Sequence, residues 1–280
     1  MTPEEHAQQV AWLTDQIAGA LVQAKISLSG ADISASEAHG VLNQAEENAA
    51  QLQSLSGNVR HAESPRHALE NAQSYAQDVD RKLKGGLVAI AGVRDYLGRS
   101  DKAINEGQKL LKKLEDLPPA EPQEDGAEPE VAAGQDKLPT PAQLQTRLHN
   151  LDRTVKGVTA GMNRADDRLT TARKNLDPLI MASTYVENQQ QTARMVDQTG
   201  QTVRGDVAAV RGGLKGLGEG FYNAGQDASK AAMAAAELAN AARAGLNPTP
   251  RSAQVQPAAS SEQDHRHRGE SRIQSALRDL

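Results

Sequence analysis

The residues able to do chemistry are seven histidines, several acidic pairs, a run of arginines and two glycine clusters; there is no cysteine. Without Cys the chain has no thiolate nucleophile, no zinc–thiolate site and no disulfide framework. His6, His39, His61, His67 and His149 are scattered. Only His265 and His267 stand together, with no acidic partner at ligand spacing on a helix. A metal site needs convergent ligands on a rigid frame, so none is expected. Glu46-Glu47, Asp166-Asp167 and Asp78 with Asp80 carry acid–base groups. Such chemistry needs positioned, enclosed carboxylates, and on amphipathic helices these read as a wet face. No strand pattern precedes Gly85-Gly86 or the Gly212–Gly220 cluster, so neither is a phosphate-cradling loop. They read either as closely packed or flexible helix segments, or as drift on a weakly constrained face. No catalytic residue, cofactor or small-molecule substrate is expected.

Binding chemistry has more to work with. Between Arg147 and Lys174 lie Arg153, Lys156, Arg164, Arg168 and Arg173, interrupted by Asp152, Asp166 and Asp167. A nucleic-acid surface would use such a basic stripe, often with stacking aromatics, but this run has none. It reads first as a solvated helix flank. Trp12, the only Trp, sits one residue before the apolar position Leu13. It is either a partner-binding anchor or a cap on the open end of a helical hairpin. Ile273, Ala276, Leu277 and Leu280 recur at helical spacing and suit a short docking helix or a tethered self-contact.

The elements that must position these groups are helices. Ala31, Ala35, Ala38, Leu42, Ala45, Ala49, Leu52, Ser56 and Val59 alternate by four and three. The same spacing runs from Leu144 through Leu148, Leu151, Val155, Val158, Met162, Ala165, Leu169, Ala172 and Leu176 to Leu179. A third series runs from Val203 through Val207, Val210, Leu214, Leu217, Phe221 and Ala224 to Ala242. Sustained over heptads, this spacing averages 3.5 residues per turn, the period of a left-handed coiled-coil seam. Ala at so many seam positions favours close antiparallel hairpins over a long parallel rod. The fold class expected is all-α: tandem antiparallel helical hairpins with heptad packing.

Prolines mark the boundaries. Residues 118–141, with Pro118, Pro119, Pro139 and Pro141 among many acids, form an extended linker. Residues 247–270 read as a disordered tail and 271–280 as a short amphipathic helix. The hairpins are then 1–117 and 142–246. The first should turn at His61–Pro65, with Ser64 as cap and Pro65 in the first turn. Pro178 should make the second turn earlier than its counterpart. The net charges are −4 for 1–117, −5 for 118–141, +3 for 142–246 and +1 for the remainder, matching the total of −5. The two hairpins lean in opposite directions, and the economical use of that is to face one another, within one chain or between two.

An offset of 127 residues superposes Leu42 on Leu169, Ala45 on Ala172, Leu52 on Leu179 and Gly85-Gly86-Leu87 on Gly212-Gly213-Leu214. Both stretches end in proline-containing segments. This pattern reads as a tandem duplication of a unit of about 105 residues.

Cys-free helical hairpins of this size, without an apolar leader and with an Ala-, Gly- and Arg-leaning composition, resemble the WXG100-type proteins of actinobacterial type VII secretion. The resemblance covers size and helicity. That family has Trp-x-Gly at the turn between its helices, whereas the only Trp here gives Trp12-Leu13-Thr14, near the start of the sequence and not at a turn. Tyr75, Tyr96, Tyr185 and Tyr222 lack the acidic residue four positions on that completes its export signal, so no functional residue carries over. The resemblance implies export without a cleaved leader. The residues themselves point to a cytoplasmic interaction or scaffold protein that binds a protein partner or self-associates, with nucleic-acid association as a third reading. No apolar run approaches the ~20 residues of a membrane span.

Overall fold

A hydroxyl residue followed by proline opens three of the four helices among the described residues. The computed structural model describes residues 1–120, 139–183 and 188–246. Helix α1 spans Pro3–His61, α2 Pro65–Glu115, α3 Pro141–Ile180 and α4 Gln189–Leu246. Thr2 accepts the Glu5 N–H at 3.1 Å while the Glu5 carboxylate accepts the Thr2 N–H at 2.9 Å. Thr140 and Gln143 repeat the exchange at the start of α3, at 3.2 and 3.1 Å. Each box satisfies two orphan donors, and the proline at the first helical position needs no donor. The last residue assigned to the linker, Pro141, is thus the first of α3. Ser64 occupies the cap position of α2 without a side-chain hydrogen bond, so Pro65 alone marks that start. Asn188 caps α4, its Oδ1 accepting the Gln191 N–H at 3.1 Å.

All adjacent helices run antiparallel. Along α1, Gly30, Ser34 and Leu42 face Tyr96, Gly92 and Gly86 of α2 in reverse order. On the other flank Asp15, Lys25, Glu46 and Gln53 meet Arg243, Ser229, Arg211 and Gly200 of α4. Helix α3 completes the square: Leu148 lies on Gly107, Leu169 on Gly86 and Arg173 on Asp80 of α2, while Val158 lies on Gly220 of α4. The diagonal helices barely touch. The result is an up-down-up-down four-helix bundle, and residues 1–246 make one compact unit. The hairpin halves are therefore not separate bodies. Residues 247–280, including Ile273, Leu277 and Leu280, lie outside the described residues, as do 121–138 and 184–187.

The three series supply most of the core, with Ser56, Leu217, Leu238 and Ala242 half-buried at its margin. Every member of the α3 series is buried, and so are Ala31 to Leu52 and Val59 on α1. Two leucines that the 127-residue offset superposes, Leu42 and Leu169, converge on Gly86, where a Cβ would stand 2.8 Å from Leu42 and 3.5 Å from Leu169. Gly213, the counterpart of Gly86, has nothing within 4 Å of that position. The second turn does come early: α3 stops at Ile180, two residues past Pro178. Proline removes an intrahelical donor and crowds the preceding turn. Gln73 of α2 then covers the exposed end, donating to the carbonyls of Leu179 at 3.2 Å and Ala182 at 2.8 Å.

Candidate interaction surface

The groups suited to chemistry are spread along the bundle and largely occupied. Among the described residues no three of His, Cys, Asp and Glu gather as a metal could use. His265 and His267 fall outside those residues. Glu46 pairs with Arg211, Asp78 with Arg81 at 3.0 Å and Asp166 with Arg94 at 3.6 Å. Asp80 receives both Arg173 and Lys84 at 2.7 Å. Partial burial works to raise the Asp80 pKa, but hydrogen bonds from Lys84 and Arg173, with their charges, outweigh it and hold the carboxyl below its ordinary range. Asp152 holds the Lys156 ammonium above its ordinary value through a 2.8 Å hydrogen bond and its charge. Both shifts lock the charged form, whereas a general acid or base needs a pKa near the working pH.

The arginine run is divided between neighbours. Arg173 faces Asp80, Arg168 lies 3.8 Å from Asp206, and Arg147 donates to the Lys230 carbonyl at 2.9 Å. Arg164 and Arg168 border an open groove of about 590 Å³ between α3 and α4, together with Asp167 and Asp206. Opposite charges alternate there, so no basic stripe forms. Between the two halves, Arg243–Asp15, Arg211–Glu46 and Arg173–Asp80 each set a cation of the second half against an acid of the first. Arg94–Asp166 runs the other way. The opposed charge excesses meet within the chain.

Glycines divide into two kinds that spacing alone does not separate. At Gly200 a Cβ would sit 2.7 Å from the Gln53 backbone nitrogen, so α1 and α4 touch backbone to backbone. Gly30 makes room for the Tyr96 ring. Gly212, Gly213 and Gly216 have open space instead, and three of the clustered glycines thus support no close contact.

What remains is an apolar outer surface on α1. Trp12 is 58% exposed, Ile26 57%, Ile33 63% and Val22 44%. Trp12 therefore does not cap the hairpin end; it stands outward. Trp12, Ile26 and Ile33 occupy one heptad position, with Gly19 between, on the side of α1 away from the buried series Leu21, Ala24, Leu28, Ala31 and Ala35. The other three helices show clear amphipathic contrast, and α1 shows little. An ordinary bundle helix carries charge on its outer face, and this stretch departs from that. Exposed Tyr75, Val88, Tyr222 and Met233 on the other helices, and Met181 just past α3, are single residues, a common occurrence on protein surfaces. The seven-residue spacing from Trp12 through Gly19 and Ile26 to Ile33 lies in the sequence itself, at outer positions between the buried series.

Among the described residues no helix is long and apolar enough to cross a membrane. Comparison with protein-family models, with curated proteins and with solved structures gives no match.

Proposed function

We propose that this protein is a non-enzymatic helical scaffold that acts through protein–protein contacts on the outer face of α1. The observation that carries this reading is the aligned exposure of Trp12, Ile26 and Ile33 on a helix whose opposite side is already fully used by the core. Fully burying an aliphatic side chain is worth roughly 1.5–3 kcal/mol, and leaving three large apolar residues in line forgoes that. Aromatic anchors flanked by aliphatic residues are typical centres of protein interfaces. The ion pairs that join the two halves make the bundle a preassembled frame, so a partner meets a shaped surface.

Photocrosslinking amino acids placed singly at Trp12, Ile26 and Ile33 in the native host test the reading. A discrete protein adduct at these positions, absent at the exposed controls Lys102 and Glu106 of α2, is expected. Equal labelling at all five positions, or none at any, refutes it.

A further inference from the structure

The outer face of α1 is complementary to itself when reversed. Trp12, Gly19, Ile26 and Ile33 follow one another at intervals of seven, which keeps them in line on a helix belonging to a heptad bundle. Between Gln16 and Ser36 the outward positions are Gly19, Val22, Gln23, Ile26, Ser29 and Ile33, with no charge among them. Lys25 and Asp32 lie toward α4, Lys25 donating to Ser229 at 3.4 Å and Asp32 approaching Gly218. Placed against an antiparallel copy, Trp12 falls on Ile33 of the second chain and Ile26 falls on its Gly19. A Cβ at Gly19 would meet nothing within 4 Å, so the position offers an open hollow for a branched side chain. The relation is reciprocal, with its centre between Val22 and Gln23, as a two-fold interface requires.

We infer that two copies of this chain pair antiparallel through the outer faces of α1, about a two-fold axis at Val22 and Gln23. The inference rests on the scaffold reading and names the partner. In this register, between Trp12 and Ile33, no acid of one copy falls level with an acid of the other: Asp15 is level with Gly30, and Asp32 with Leu13, whose side chain is buried in its own bundle. A membrane surface is the poorer occupant. Glu4, Glu5, Asp15, Asp32 and Glu37 outnumber Lys25 along this half of α1, the wrong sign for the anionic lipids that attract basic segments. The strip from Trp12 to Ile33 is roughly 32 Å long at 1.5 Å per residue and about one helix wide. That is a few hundred Å² per copy, below the roughly 800 Å² per partner of a standard interface, so the pairing is weak and reversible and forms only as concentration rises.

Sedimentation velocity of the full chain over a concentration series, read with the emission of its single Trp, tests the pairing. Dimer should form with rising concentration while Trp12 emission shifts to the blue. Gly19→Arg, which fills the hollow without touching the monomer's core, should weaken dimerisation at least about tenfold, as any loss of 1.4 kcal/mol would. Gly57→Arg, at another open α1 glycine beyond the overlap of the two antiparallel helices, should leave it unchanged, and circular dichroism should show all three chains equally helical. Because the chain has no other Cys, Val22→Cys should form an interchain disulfide near the axis and Ile33→Cys alone should not. A chain that stays monomeric, a dimer indifferent to Gly19→Arg, or an emission shift only with vesicles of mixed neutral and anionic phospholipid overturns the inference. If the chain is monomeric yet the α1 crosslinks capture a different protein, self-pairing falls and the scaffold reading stands. If both fail, both fall.

Discussion

Gly200 is the point at which packing and helix propensity oppose each other most directly. In Gly200→Ala the new methyl would stand 2.7 Å from the backbone nitrogen of Gln53 and 2.8 Å from its Cα. Carbon contacts settle near 3.5–4.0 Å, so α1 and α4 must separate locally by most of an ångström. The atoms met are backbone, which a rotamer change does not move. Overpacking of this kind costs about 1–3 kcal/mol, and backbone contact argues for the upper end. Against this, Ala in place of Gly favours the helix by about 1 kcal/mol. Gly205→Ala, one turn and a half further along the same helix and free of neighbours within 4 Å, gains the propensity alone. The difference between the two variants isolates the packing cost, about 3 kcal/mol at the upper end. For a body of this size that separates their melting midpoints by roughly 6–12 °C. Thermal and urea melts followed by far-ultraviolet circular dichroism measure it. If both variants shift the midpoint alike, α1 and α4 do not touch backbone to backbone and their assigned register is wrong.

Leu169→Ala, at a fully buried position against Gly86, should cost about 2–5 kcal/mol in urea melts, whereas Met181→Ala, which is 83% exposed, should cost little. Gln73→Ala removes both donors that cover the end of α3. It should cost about 1–2 kcal/mol and speed amide exchange at Met181 and Ala182 more than in the middle of α3. The Asp80 carboxyl titrates lower in the folded chain than its ordinary value, about 3.9 in the unfolded chain. The unfolded chain therefore takes up the proton first as pH falls. The contribution of Asp80 is complete above that value and is lost as pH drops through it toward the folded pKa. Comparing urea midpoints at pH 7 and pH 3 for the parent and Arg173→Gln should show a smaller acid loss in the variant.

Much of the bundle was legible along the chain because burial repeats with the helix period. Every member of the series from Leu144 to Leu179 is buried, and α1 and α2 meet at the turn that Pro65 marks. The early stop of α3 followed from Pro178, since a missing N–H acts wherever the helix lies. The Thr-Pro-x-Glu and Thr-Pro-x-Gln starts lie equally plainly in the sequence, yet a capping box has meaning only once a helix is known to follow. Asp80 and Arg173 lay in blocks of opposite net charge, but net charge names no pairs.

Helix content, the buried helical stripes and the first turn are local or periodic properties, set by bonds within a few residues and by the 3.6-residue geometry. The sequence by itself determined those. Whether the two hairpins stay apart or close on each other is a different kind of question. The same Ala-rich face of α1 suits one neighbour or two, and only the four helices together select the square. That choice decides which residues are left over. Gly200 became a backbone contact and Gly213 an open position, though both are glycines of one helix. Trp12, one step from the buried Leu13, points outward because α2 and α4 occupy the flanks and α3 the far corner, leaving no neighbour on the remaining side. Exposure is a property of the assembled neighbours, and only the tertiary structure could place the Trp12–Ile33 strip in solvent.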